Sequence, residues 1–253
     1  MIERLRRLLR PKKVLHPRLR CPGYLGRHAG RTALVLGTGP TLVANRDKIL
    51  EFIRTHEVLV LGAQHFFPLH GRDTYSVYTY GCHYIGFSNR RRFCTYGRDA
   101  DRVARYGLLV APHIPTWLVR QHTGQWPVAD GVKEPCWERM PFVNDNDAPF
   151  AVDHGIIQSA CGQTGALLLA VAFVMGCSRI YAAGLDGYSD PDNWHAYGGT
   201  EGKSDANFAK CVQLSKIVAK RLAEMRTVFA ANGVEGPTII TPTTYVDFYR
   251  PLV

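Results

Sequence analysis

Residues 32–42, TALVLGTGPTL, constrain the fold of this chain more than any other stretch. The apolar run 33–36 is short and ends at Gly37-Thr38-Gly39-Pro40, as a buried parallel strand does. Two glycines let the backbone turn tightly and let a ligand approach its amides. Pro40 and Thr41 suit a helix start, where free N–H groups and the dipole favour an anion. Leu42 stands where a dinucleotide fingerprint needs its third glycine, and no Gly-Lys-Ser/Thr follows. The segment therefore reads either as a strand–turn–helix that holds a phosphate or as an ordinary tight turn of an α/β domain.

The rest of the pattern repeats the same unit. A first strand is expected at 31–36, a helix at 45–54, a second strand at 57–63 and a third at 74–80. Alternating strands and helices favour a parallel sheet with right-handed crossovers. Residues 81–155 lose the pattern and hold Trp117, Trp126, Trp137, His83, His113, His122 and His154. They also carry the basic cluster Arg90-Arg91-Arg92, Arg98, Arg102 and Arg105. That cluster is either a solvated face or an attractor for an acidic sugar, a phosphate or a membrane. This stretch is expected to form an irregular lid or insert.

Order returns at Thr164-Gly165, which opens an apolar helix through Met175, ended by Gly176. A strand follows at 179–184, with Leu185-Asp186-Gly187-Tyr188 at its carboxyl end. Ligands of open α/β sheets sit at such ends, which makes Asp186 a candidate site residue. Residues 187–205 are rich in Gly, Asp and Ser and contain Trp194-His195, the composition of a functional loop. An amphipathic helix at 208–230 and a last strand at 238–240 complete the pattern.

Charge and cysteine content narrow the classes. The net charge of +10 is concentrated at the start, where residues 1–20 hold eight Arg or Lys against Glu3 alone. With Leu5, Leu8 and Leu9 this basic tail, residues 1–25, is either a solvated segment or an amphipathic one that lies on an anionic membrane surface. No apolar run reaches the roughly 20 residues of a membrane span, and no nucleic-acid recognition module is visible. Seven scattered cysteines without a C-x-x-C pair fit neither a zinc site nor a disulfide framework, so a cytoplasmic chain is expected. Residues 26–253 are expected to form one domain.

Two half-motifs occur in order: Gly37-Thr38-Gly39-Pro40-Thr41-Leu42, then Thr164-Gly165 through Ala170, Gly176, Ile180-Tyr181, Gly184 and Asp186. The pair resembles the bacterial sialyltransferases of the Campylobacter type (glycosyltransferase family 42) and their relatives in flagellin glycosylation. An archaeal pterin diphosphokinase branch looks similar. The resemblance implies a Rossmann-like α/β fold, with a mainly parallel sheet, helices on both faces and a smaller lid or inserted region. It implies a nucleotide against residues 37–41, contacts from Ala63 or Gln64 after the second strand, and Thr164-Gly165 on the donor's other side. It also implies a general base in the loop after the Gly-x-Asp strand, a place that His195 matches by order. The family's Asn in the glycine turn is Thr38 here, and Cys161 stands where the family has an Arg before the Thr-Gly pair.

The leading expectation is a glycosyltransferase that takes a nonulosonic, sialic-type sugar from a CMP-activated donor to a glycan acceptor, with no metal cofactor. Such a displacement needs a base for the acceptor hydroxyl and stabilisation of the leaving phosphate. His195 would be the base. The amides of 37–41 and hydroxyls such as Tyr181, Tyr188 or Tyr197 would serve the phosphate. The alternatives are a phosphotransferase using Mg²⁺ on Asp186, Asp190 and Asp192, and a non-catalytic nucleotide-binding or peripheral membrane module. Metal dependence separates the first alternative from the leading expectation.

Overall fold

Short apolar strands buried on both faces need helices above and below them, and the computed structural model of the chain is built that way. It describes residues 23–63, 80, 82–88, 107–111, 114, 137–140, 142–190 and 205–252. Strand β1 (Thr32–Leu36) leads through the glycine turn into a single helical turn α1 (Thr41–Ala44) and helix α2 (Arg46–His56), then β2 (Leu59–Ala63). Strands β3 (Tyr84–Phe87), β4 (Gly107–Val110) and β5 (Trp137–Arg139) follow, then a hairpin of β6 (Val152–Asp153) and β7 (Ile156–Ile157). Helix α3 (Thr164–Val174), β8 (Arg179–Ala183), the long α4 (Asp205–Ala231) and β9 (Glu235–Ile239) complete the domain, with a 3-10 turn at Val246–Phe248.

Seven strands form one sheet in the order β5-β4-β3-β2-β1-β8-β9, and every pairing in it is parallel. The chain walks outward from β1 to β5, then returns to lay β8 on the other side of β1. Right-handed crossovers in opposite directions place α2 and α4 on opposite faces. This is the expected Rossmann-like α/β architecture. The stretch 81–155 differs from expectation: it supplies β3, β4 and β5 to the main sheet. These strands are only three to four residues long and are set among basic and aromatic residues, which hid their period. The expected strand at 74–80 lies outside the described residues except for Tyr80, and most of the basic tail does too. Tyr24, which falls within that tail, is fully buried in the core.

Helix α3 is apolar on every side, and nine of its eleven residues are buried. A helix without a polar face belongs in an interior. It lies between the sheet and α4: Gly86 of β3 admits Leu168, and Phe173 stacks on Phe229 with ring centroids 4.7 Å apart. The carboxyl end of α3 is capped from far away in sequence. Gly26, His28 and Gly30 donate their amides to the carbonyls of Val174, Met175 and Gly176 at 3.0, 2.8 and 2.9 Å, which satisfies the acceptors that a helix end leaves open.

At the amino edge of the sheet, His83 pairs with Val60 twice. Its amide donates to the Val60 carbonyl at 2.9 Å, and its Nδ1 accepts the Val60 amide at 3.1 Å. Only an unprotonated Nδ1 can accept. Although His83 is partly exposed, the burial of its inner side, then the Arg31 charge, hold the ring below the ordinary value of 6.5. The unfolded chain therefore takes up a proton near pH 6.5 before the folded one does, and the contribution of His83 to stability is lost as pH falls below that value. The gap in urea midpoint between the parent and His83→Asn is expected to shrink from pH 7.5 to pH 5. A gap constant with pH would remove His83 from this role.

Candidate functional site

A doubly wound sheet opens a crevice at the carboxyl ends of its strands where the winding reverses. Here that point lies between β1 and β8. Helix α3 runs across this region with its first turn at the carboxyl ends. A Cβ on Gly165 would stand 3.2 Å from Leu185 Cδ1 and 3.9 Å from Gly37 Cα, so Gly165 lets the start of α3 close onto both loops. The Thr164 hydroxyl hydrogen-bonds the Ser88 hydroxyl just after β3. Ala63 ends β2, buried and in register with Gly86. The structure thus brings Gly37, Ala63, Thr164 and Gly165 to one end of the sheet.

The amides of the site divide into two sets. In the glycine turn, Gly37 and Gly39 donate to the carbonyls of Ala183 and Gly184, both at 2.8 Å. They continue the β1–β8 ladder beyond the strands, and a Cβ on Gly37 would stand 2.2 Å from Gly184 O. Thr41 donates its amide to Asp186 Oδ2 at 2.9 Å and its hydroxyl to Asp186 Oδ1. Gly39 has no room for a Cβ because that carboxylate occupies the space. The helix start at Thr41 does hold an anion, and it is the side chain of Asp186, 145 residues away in sequence. Burial pushes the Asp186 carboxyl above the usual range, and the two bonds from Thr41 oppose that shift. The expectation that the amides of 37–41 face a phosphate is corrected for Gly37, Gly39 and Thr41, whose N–H groups are spent inside the fold. Thr38 and Pro40 are half-buried beside them.

The second set is at α3. Leu167 is the first amide of that helix to find a partner, the Gln163 carbonyl at 3.0 Å. Gln163 supplies no side-chain cap, and the first turn contains no acidic residue. Among the described residues the amides of Thr164, Gly165 and Ala166 have no acceptor. A helix of 11 residues thus leaves three donors unpaired at the positive end of its dipole, with Thr164 half-buried and Gly165 and Ala166 buried, an arrangement that suits an anion. The far end of the same helix is fully capped.

The approach to this turn is rigidly held. Cys161 and Gly162 both have left-handed backbone, with φ of +58° and +74°. The Gly162 amide donates to Asn146 Oδ1 at 3.2 Å. The Asn146 carbonyl accepts from the fully buried Arg221 of α4. Arg221 pairs with Glu224, and Glu224 Oε2 also accepts the Phe150 amide at 2.7 Å. The Arg221 charge favours the thiolate of Cys161, but burial dominates and pushes that thiol up to about 12.

The sequence reading did not single out the segment after β9. Thr241 Oγ1 accepts the Gly184 amide at 2.9 Å, Thr243 Oγ1 donates to the Leu185 carbonyl at 2.7 Å, and the Thr244 amide donates to the Asp186 carbonyl at 2.8 Å. These bonds fix the loop that carries Asp186. Thr241-Pro242-Thr243-Thr244 directly after a strand was the available signal. Tyr188 is tied to α4 through its amide, which donates to Ser215 Oγ at 3.2 Å.

His195 and Gln64 lie outside the described residues, as do Asp192 and Tyr197. For Mg²⁺ the described residues do not fit. Both Asp186 oxygens already accept from Thr41, and no group of three His, Cys, Asp or Glu side chains among the described residues could hold a metal. No helix among them is long and apolar enough to cross a membrane. No family model, curated protein or solved structure matches this chain.

Proposed function

We propose that this chain is a glycosyltransferase that moves a nonulosonic-type sugar from a CMP-activated donor to a glycan hydroxyl, without a metal ion. The observation that carries this reading is the uncapped start of α3 at the winding reversal, beside Gly37 and Ser88. A single phosphate is the group such a helix start suits, and CMP donors present one at the bond that breaks. The phosphate would accept from the amides of Thr164, Gly165 and Ala166. Thr38, Pro40 and Ala63 would border the nucleoside. Asp186 would hold the glycine turn in place and leave the phosphate to α3.

In this reading bond cleavage puts negative charge on the leaving phosphate, where donors fixed before reaction act with little reorganisation. The base comes from the loop after β8, and His195 takes the acceptor proton. The basic segment 1–25 would keep the enzyme at an anionic membrane surface on the cytoplasmic side. The test is a thermal melt with CMP, UDP, GDP and ATP, each with and without Mg²⁺. CMP at about a hundred times its Kd adds about 2.7 kcal/mol by mass action. Selective stabilisation by CMP that ignores Mg²⁺ supports the reading. Stabilisation that requires Mg²⁺ and a nucleoside triphosphate contradicts it.

A further inference from the structure

The sheet face opposite α3 and α4 carries a groove of about 390 Å³ between α2 and the segment after the 3-10 turn. Its size falls in the range of about 300–1,000 Å³ typical of ligand clefts. It is remote in composition from the α3 start and shares none of its residues. The helix wall presents Lys48, Phe52 and His56, which recur every four residues on one face of α2. The floor is Tyr181 of β8 with its register partner Thr238 of β9. Arg250, Pro251 and Leu252 make the other wall. They are held there by the Arg250 amide, which donates to the Ile239 carbonyl at 2.9 Å.

Three rings form the inner surface. Phe52 stacks on His56 with centroids 4.3 Å apart and meets Tyr181 edge-on at 5.2 Å. Two cations stand on opposite walls. Among the described residues neither the Lys48 ammonium nor the Arg250 guanidinium has a carboxylate partner. Among the described residues the one acidic side chain that lines the groove, Glu51, is already paired with Arg54. The groove therefore combines an aromatic floor with uncompensated positive charge on both sides. Both cations are exposed, so they can reach a ligand's charge without first being desolvated.

From this juxtaposition we infer that the groove binds a planar aromatic anion, a ring system carrying a carboxylate, sulfonate or phosphate. The ring packs on His56 and Tyr181, with the buried Phe52 directly beneath them, and the acidic group lies between Lys48 and Arg250. Binding here is independent of the nucleotide site and does not rest on the proposed function.

The probe is 1-naphthoate, with naphthalene-1-methanol as its uncharged counterpart. Binding is followed by NMR of the Phe52 and Tyr181 ring protons in the full chain. Naphthoate is expected to bind saturably below about 1 mM and to shift both rings. The alcohol is expected to bind about two- to fivefold more weakly, the worth of one partly exposed charge contact. Lys48→Glu and Arg250→Glu should each weaken naphthoate by a similar factor without lowering the melting temperature, since both side chains are exposed. Saturating CMP should leave the naphthoate affinity unchanged. No saturable binding near 1 mM, equal binding of the alcohol, indifference to both charge reversals, or displacement by CMP would each overturn the inference.

Discussion

Glu224→Ala is expected to cost about 3–5 kcal/mol of folding stability. Arg221 is fully buried, and a buried guanidinium survives only while its charge and donors are answered. Glu224 answers the charge through Nη1, and the Asn146 carbonyl takes Nη2. The Nε group already lacks a partner among the described residues. Removing the carboxylate leaves an unpaired cation in the core and frees the Phe150 amide as well. Arg221→Met should cost less, because the carboxylate it leaves behind is partly exposed and keeps Lys220 and the Phe150 amide as partners. The two variants, compared by urea unfolding, separate the cost of breaking a pair from the worth of having one. Equal losses in the two, or a Glu224→Ala loss below about 1 kcal/mol, would show that the ion pair does not hold this loop.

The same pair bears on the site. Arg221 holds Asn146, and Asn146 holds Gly162 immediately before α3. A kinked approach of Cys161 and Gly162 is thereby fixed, and with it the direction in which the amides of Thr164, Gly165 and Ala166 point. Donors aimed at a developing charge act best when they need not move. This is a reason for a core to keep an ion pair where an apolar pair would be equally stable.

The second large effect concerns His195→Ala, which is expected to slow sugar transfer by about 10²–10⁴, the usual worth of general-base help. Nucleotide affinity should hardly change if, as proposed, the phosphate is held at α3 and not by the loop. Asp190→Ala and added chelator should leave turnover intact. Initial rates with saturating CMP-activated donor decide the matter. A His195→Ala enzyme at full speed, or activity abolished by chelator, would contradict the mechanism even with the fold unchanged.

Much of the frame was legible because it depends on local chemistry. The glycine break after 33–36, the apolar run from Thr164 and the carboxyl end at Asp186 all carry their signal within a few residues. The pairing of the two half-motifs was legible too, and the fold sets Gly165 beside Gly37. What escaped depends on contacts between distant segments. Asp186 takes the Thr41 amide, a partner no spacing rule could supply, and so the anion expected at the glycine turn is the protein's own. The open donors lie instead at α3, where their openness follows from the lack of a cap at Gln163 and of acid in the first turn. Strands β3 to β5 escaped because four residues such as Tyr84-Ile85-Gly86-Phe87 give too few alternations to stand out. The start of β9 was hidden by Gly236-Pro237, which reads as a turn.

The most direct measurement is an amide-resolved NMR titration of the whole chain with CMP in metal-free buffer. Saturable shifts are expected for the Thr164, Gly165 and Ala166 amides, with the Gly37, Gly39 and Thr41 amides moving little because their hydrogens are engaged with Ala183, Gly184 and Asp186. Saturation with CMP while residues 164–166 stay unmoved, or no binding at all, would contradict it.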